Sequence, residues 1–271
     1  MLQWYFFSAT FLCMCIAKAQ VLPKQDQALY KATFHISFQT DSTNPASLVQ
    51  EEAVLLIGKN VTKFESANKI ARDSMMSDKN TQQNIGTALS QIGKIPKTKF
   101  LFVIYQYNHQ IIYRDQIVTE RFQYVETPDF NWQLVNNDSV IAGYTCKMAT
   151  CHYGGRNYTA WYTEEIPIPT GPYKFFGLPG FIVAIEDNTR QIQFELTSFK
   201  KLPETYSITI GGYTYTQVSK PVFIETLKKY KANPNMALNN TLAAYNMRID
   251  EASKNSASNR IKKDNNLIEK Y

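Results

Sequence analysis

Two cysteines and three histidines are the side chains whose chemistry could be covalent or metal-directed. Behind the N-terminal leader only Cys146 and Cys151 remain, with His35, His109 and His152. A thiolate nucleophile needs a base or a positive field beside it, so the sharpest catalytic arrangement is Cys146 or Cys151 with His152 or His109. Neighbours on a strand face opposite ways, which separates Cys151 from His152. An even pair in an oxidising compartment invites a disulfide. Five residues apart on a straight strand, however, the two cysteines face opposite ways beyond the ~7 Å reach of a bridge, so a bulge or turn would be required. A Cys146–Cys151 disulfide, two buried free thiols and a reactive or metal-binding role therefore all stay open. Zinc wants four ligands at recognisable spacing, which these residues do not supply. Neither a G-x-S-x-G elbow, an H-E-x-x-H pair nor a phosphate-binding glycine loop occurs. Glu164, Glu165, Glu186 and Asp187 are available for acid/base work, although Glu186-Asp187 at a strand end reads as a solvated turn. The expectation is a protein without catalytic residues, cofactor or metal, with a thiol-dependent envelope enzyme as the alternative.

The elements that must position these residues are mostly strands. Among 271 residues there are 17 Tyr, 16 Phe and 3 Trp, with 11 Gly and 11 Pro, and rings suit a half-buried pleated surface. Alternation predicts strands at 32–39, 52–57, 61–64, 99–107, 111–120, 121–125, 132–135 and 140–149. Gly154-Gly155 is the strongest hairpin signal, because two glycines accept the positive φ of a primed turn. Folding about it pairs Met148 with Trp161, Lys147 with Tyr162 and Cys151 with Tyr158. The face with Tyr144, Cys146, Met148 and Trp161 is expected to look inward. Further strands are predicted at 181–187, 191–199, 206–210 and 213–218, with helices at 67–76, from Ser219 to Asn233, and at 236–252. The fold class is α+β, mainly antiparallel β, in a curved sheet or incomplete barrel with a few peripheral helices.

Residues 1–19 carry an apolar run too short to span a bilayer, and Ala17-Lys18-Ala19 ends it as a cleavage pattern. They read as a signal peptide that exports the chain to the periplasm or outer membrane, or secretes it. Residues 20–227 form the β-rich domain and carry 19 charges of each sign. Residues 228–271 form a basic, partly helical segment with nine basic against four acidic residues. Basic residues confined to one polar terminal segment do not make a nucleic-acid surface. The segment reads as a solvated helix that frays, with peripheral contact to an acidic membrane as its sharper alternative.

Between two hairpins, residues 166–181 hold four prolines and three glycines, a rigid connector that cannot be an interior strand. Its stretch Gly171-Pro-Tyr-Lys-Phe-Phe-Gly-Leu-Pro-Gly-Phe-Ile-Val resembles the GLPGLI family, secreted proteins found mainly in Bacteroidota. Gly177, Leu178, Pro179, Gly180 and Ile182 match that motif, and Phe181 stands where the family name has leucine. The resemblance implies envelope localisation and one domain; it supplies no catalytic residues. One reading of the connector is structural, with Gly177 and Gly180 at unusual angles and Leu178 and Phe181 plugging the core. The other is a groove lip that offers Tyr173, Lys174, Phe175 and Phe176, near Trp161, to a ligand or partner. The function expected is that of a non-enzymatic envelope protein holding a lipidic, peptide or protein segment, as an accessory to an outer-membrane system. A structural assembly factor is the remaining alternative.

Overall fold

The computed structural model describes residues 22–77, 94, 97–244 and 248–270; the leader and its cleavage site lie outside them. The strands are β1 (Gln25–Gln39), β2 (Leu48–Gly58), β3 (Val61–Ser66), β4 (Val103–Tyr107), β5 (Gln110–Ile117), β6 (Glu120–Glu126) and β7 (Gln133–Ile141). They continue with β8 (Tyr144–Tyr153), β9 (Arg156–Thr163), β10 (Phe181–Asp187), β11 (Ile192–Lys201), β12 (Ser207–Thr209) and β13 (Thr216–Gln217). The helices are α1 (Ala67–Ser77), α2 (Lys220–Ala232), α3 (Pro234–Ala244) and α4 (Glu251–Lys263).

All thirteen strands belong to one sheet, in the order β13-β6-β5-β4-β3-β2-β1-β11-β10-β9-β8-β7, with β12 added beside β1. Pairing is antiparallel except between β13 and β6. Eight strands stand between β6 and β8, which a flat sheet would hold about 40 Å apart. Yet the Tyr153 hydroxyl at the end of β8 donates to Glu126 Oε1 at the end of β6, 3.2 Å away. The sheet is therefore curled until its two ends nearly meet, an incomplete barrel with a seam. Among the described residues no strand pairing joins β7 to β13, so the barrel stays open.

Each face carries its own core. The larger cluster includes Phe34, Phe64, Tyr124, Tyr158, Phe175 and Phe194. A smaller one, with Val54, Leu56, Tyr105, Ile112 and Ile208, takes Ala67 and Ile70 of α1 against it.

The Gly154-Gly155 hairpin has the expected register, with Lys147 opposite Tyr162, Met148 opposite Trp161 and Cys151 opposite Tyr158. Its inward face is the other one. Ala149, Cys151, Tyr153, Tyr158, Ala160 and Tyr162 are buried; on the face expected inward Cys146 and Thr163 are buried too, but Tyr144, Met148 and Trp161 are only half-buried. The connector explains this, since Phe175 brings its own ring onto Tyr158, 4.8 Å between centroids. Small alanines on that face leave room for it.

Several strand boundaries differ from the pattern, and two of them have a visible backbone cause. The stretch predicted as one strand over 140–149 is broken by a turn in which Ala142 (φ 51°) and Gly143 (φ 85°) take left-handed angles. Similarly, Val118 at φ 59° ends β5. The helix expected over 236–252 is replaced by α3 and α4. Asp250 starts α4 by accepting from the Ser253 amide at 2.8 Å, a side-chain cap of the kind that opens helices. The chain beyond α4 does not fray into solvent: Asn266 and Glu269 are buried in the fold.

Candidate binding site

The seam of the barrel is closed by two segments, the connector at 166–181 and residues 264–270. Connector hydrogen bonds run from Gly177 N to Pro169 O (3.1 Å), from Phe181 N to Ile166 O (3.1 Å) and from Ile182 N to Thr170 O (3.0 Å). Gly180 lies so close to β9 that a Cβ there would come within 2.2 Å of the Thr163 carbonyl oxygen. Leu178, Phe181 and Ile182 are fully buried, while Gly177 and Pro179 face solvent. The connector is thus a core plug.

That arrangement corrects the exposed lip. Tyr173, Lys174, Phe175 and Phe176 all point inward and are buried. Trp161 is half-buried and lies outside the lining of the neighbouring cavity. Lys174, at 1% exposure, places its side-chain nitrogen in the interior. Its Nζ donates to Tyr124 Oη (2.8 Å), to Glu126 Oε1 (2.5 Å) and to Glu269 Oε1. It also sits over the rings of Tyr113 (4.6 Å), Tyr124 (5.1 Å) and Tyr173 (5.4 Å). Lys220 from α2 reaches the remaining oxygens, Glu126 Oε2 at 2.5 Å and Glu269 Oε2 at 2.8 Å. Tyr173 donates to Glu269 Oε1 at 2.6 Å. Two lysines thus face two glutamates, and each carboxylate bridges both ammonium groups. Burial alone would raise the Glu269 pKa, but Lys174 and Lys220 overcome it and bring the carboxyl down to about 2.

The strap at 264–270 is held along its backbone as well. Arg156 Nε donates to Ile268 O (3.1 Å), and its Nη2 donates to Asn266 Oδ1 (2.5 Å) and Leu267 O (2.6 Å). Its Nη1 binds Asp187 Oδ2 at 2.9 Å. Tyr158 donates to Ile268 O at 3.0 Å, and Lys270 N donates to Gly154 O at 2.6 Å. Gly154 is needed for this approach: at φ +53°, an added Cβ would stand 2.7 Å from Glu269 Cγ. Asp187, read from sequence as part of a solvated turn, is instead buried under Arg156 and accepts from Ile192 N at 2.8 Å.

Beside the strap lies a cavity of about 210 Å³ whose walls include Phe38, Phe102, Tyr113, Phe223 and Ile268. Asp115 and Lys231 supply polar points on it. Burial raises the Asp115 carboxyl to about 6, against the lowering effect of the Gln116 amide and the Tyr113 hydroxyl.

The cysteine chemistry finds little support. Cys146 and Cys151 are free and buried. Burial pushes the Cys151 thiol up to about 12 and raises Cys146 as well, which removes the thiolate at neutral pH. His152 is exposed on the opposite side of β8 from Cys151, with Nδ1 2.8 Å from Asn157 Oδ1.

Glu126, Lys220, Glu269 and Arg156 were not singled out in the sequence. The one available signal was Lys174 itself, a charge set between rings in Tyr173-Lys174-Phe175-Phe176, where only an internal counter-charge makes burial tolerable.

Residues 154–184 match the model of a family described as a protein of unknown function (Porph_ging). The match begins at the hairpin glycines and ends within β10, so it takes in the whole connector. No curated protein matches the chain. Among solved structures, two of PNGF-II, in space groups P21 and C2, are similar at 13% and 14% identity, with TM-scores of 0.49 and 0.48. Each likeness covers 73% of this chain, which spans about a third (32%) of the PNGF-II chain.

Proposed function

We propose that this chain is a non-enzymatic binding module of the cell envelope, exported by the leader at residues 1–19, that holds a peptide segment with apolar side chains along the barrel seam. The observation that carries the reading is the strap. Its carbonyls are taken by Arg156 and Tyr158, its one glutamate sits between Lys174 and Lys220, and Ile268 faces an aromatic cavity. A surface that recognises backbone, one acidic side chain and one apolar side chain has the composition of a peptide groove. Residues 264–270 are its resident occupant in this reading, and a partner segment of like sequence exchanges with them. The likeness of the connector to GLPGLI proteins supports the envelope setting and a role as accessory to an outer-membrane system. A thiol enzyme is the weaker reading, because both cysteines are buried and held protonated.

The test uses a fluorescent peptide of residues 265–271 and two proteins, the full chain and one ending at Asp264. The peptide is expected to bind the shortened protein saturably and the full chain at least tenfold more weakly, because the tethered strap competes at high effective concentration. Lys174→Ala in the shortened protein is expected to abolish binding. Equal binding by that variant, or no binding to either protein, would overturn the groove.

A further inference from the structure

A second cavity, of about 320 Å³, opens where α1 meets the ends of β5 and β6. Its walls include Lys69, Arg72, Asp115, Arg121, Tyr213 and Tyr215. The charges are unequally used. Lys69 is committed to Asp73 at 2.6 Å and approaches Glu65 at 3.7 Å. Arg72 and Arg121 have no ion-pair partner among the described residues. The Arg121 guanidinium carbon sits over the Tyr213 ring, 4.0 Å from its centroid, and that of Arg114 sits over the Tyr215 ring at 4.8 Å. The Arg121 guanidinium is thus seated on a ring of the wall without an ion-pair partner among the described residues, and a guanidinium recognises a planar carboxylate through paired N–H donors.

We infer that this cavity is a site for an acidic sugar, a monosaccharide bearing one carboxylate. Three arguments select that class. First, Lys69, Arg72 and Arg121 face Asp73 and Asp115 on the wall, a surplus of one positive charge that suits a monoanion. Second, the Asp115 carboxylate would repel a bare anion but accepts hydroxyl donors. It receives only the Gln116 amide at 2.7 Å and the Tyr113 hydroxyl at 3.0 Å, which leaves lone pairs for a ligand. Gln116 beside it, whose Nε2 already donates to Val118 O, adds a side-chain oxygen that can accept. Third, Tyr213 is 45% exposed and offers an apolar ring surface against which the C–H face of a sugar can lie. The volume falls near the lower end of small-ligand sites, which fits one sugar ring better than a chain. The ligand carboxylate would lie between Arg72 and Arg121, with its hydroxyls towards Asp115 and Gln116. This site shares Asp115 with the wall of the strap cavity but none of the ion-paired residues of the seam, and it does not depend on the peptide reading.

The test is calorimetric titration of the full chain with glucuronate, glucose, acetate and inorganic phosphate. Glucuronate is expected to bind saturably and at least tenfold more tightly than the other three. Arg72→Gln and Arg121→Gln are each expected to weaken it about tenfold, as loss of one charge-assisted pair does. Tyr213→Ala is expected to weaken glucuronate without creating affinity for acetate. All three positions are at the surface, and circular dichroism checks that each variant is folded. Acetate or phosphate binding as tightly as glucuronate would overturn the sugar assignment in favour of a bare anion. Equal binding of glucose would overturn the acidic requirement. Absence of saturable glucuronate binding, or indifference to the double arginine variant, would overturn the site.

Discussion

The hairpin of β8 and β9 carries an ion pair at each end, and the two have opposite surroundings. At the turn, Arg156 and Asp187 stand 2.9 Å apart with side-chain exposures of 2% and 1%. At the open end, Lys147 and Glu164 are also 2.9 Å apart, with exposures of 50% and 52%. Distance alone does not separate them. In water the attraction is screened and the long side chains lose freedom to meet. In the interior each charge has already lost its hydration, so its partner is what keeps it tolerable. The buried pairs at the turn and the seam therefore govern whether the strap stays in place, and the exposed pair governs very little.

The largest effect is expected where that dependence is greatest, at Lys174. Replacing it by Ala leaves the buried Glu269 without one of its two cations and takes the central cation from three tyrosine rings, a loss of about 3–5 kcal/mol. Urea unfolding of Lys174→Ala beside the wild type measures it. A loss below 1 kcal/mol would mean that the seam behaves like the open end of the hairpin. The same network sets an acid response. The Glu269 carboxyl is brought down to about 2 in the fold, against an ordinary 4.5 in the unfolded chain. Its contribution is thus fully present above about pH 5 and is lost as the pH falls towards 2. Glu269→Gln should flatten the fall of stability with pH in that window.

Arg156→Lys sharpens the comparison, because it keeps a positive charge beside Asp187 while removing the fork that also reaches Asn266, Leu267 and Ile268. The expected cost is about 1–3 kcal/mol, the range for loss of hydrogen bonds from a charged donor. It should be accompanied by faster proteolysis within residues 264–270. Hydrogen exchange at the Lys270 amide, which donates to Gly154 O, reports the same release. Unchanged protection there would show that the strap is held by its side chains alone.

How much of this could be read from the sequence depends on whether the determinants are local. The register of β8 on β9 was legible because Gly154 and Gly155 fix the turn, and a turn fixes every pair beyond it. Which face turned inward was not, because the ring that packs on Tyr153 and Tyr158 comes from Phe175 in the connector. Local pattern counts the side chains of a strand and misses those that a distant segment lays on it. The connector was legible as a rigid plug from its prolines and glycines. Its Lys174 was exposed only in the groove-lip reading, and its burial was not legible, since the carboxylates that compensate it, Glu126 and Glu269, come from the end of β6 and from the strap. The polar composition of residues 228–271 hid the strap for the same reason. Asn266 and Glu269 look solvated until Arg156 and Lys174 are placed beside them.

The smallest effect belongs to Lys147. Its Nζ meets Glu164 Oε1 in good geometry, and that neighbour holds the ammonium pKa above its ordinary value. Both partners, however, keep half of their surface in water, so removing one strands no charge in the interior. Lys147→Ala is expected to leave stability almost unchanged, with what little is lost disappearing in 1 M salt. Glu164→Ala should match it, and the double variant should show almost no coupling. The Met148–Trp161 and Tyr162–Lys147 pairings are set by the turn and by backbone hydrogen bonds, so the register has no need of this contact. A coupling as large as that at the seam would mean that the open end of the hairpin is covered by something in solution, and dilution of the sample would then weaken it.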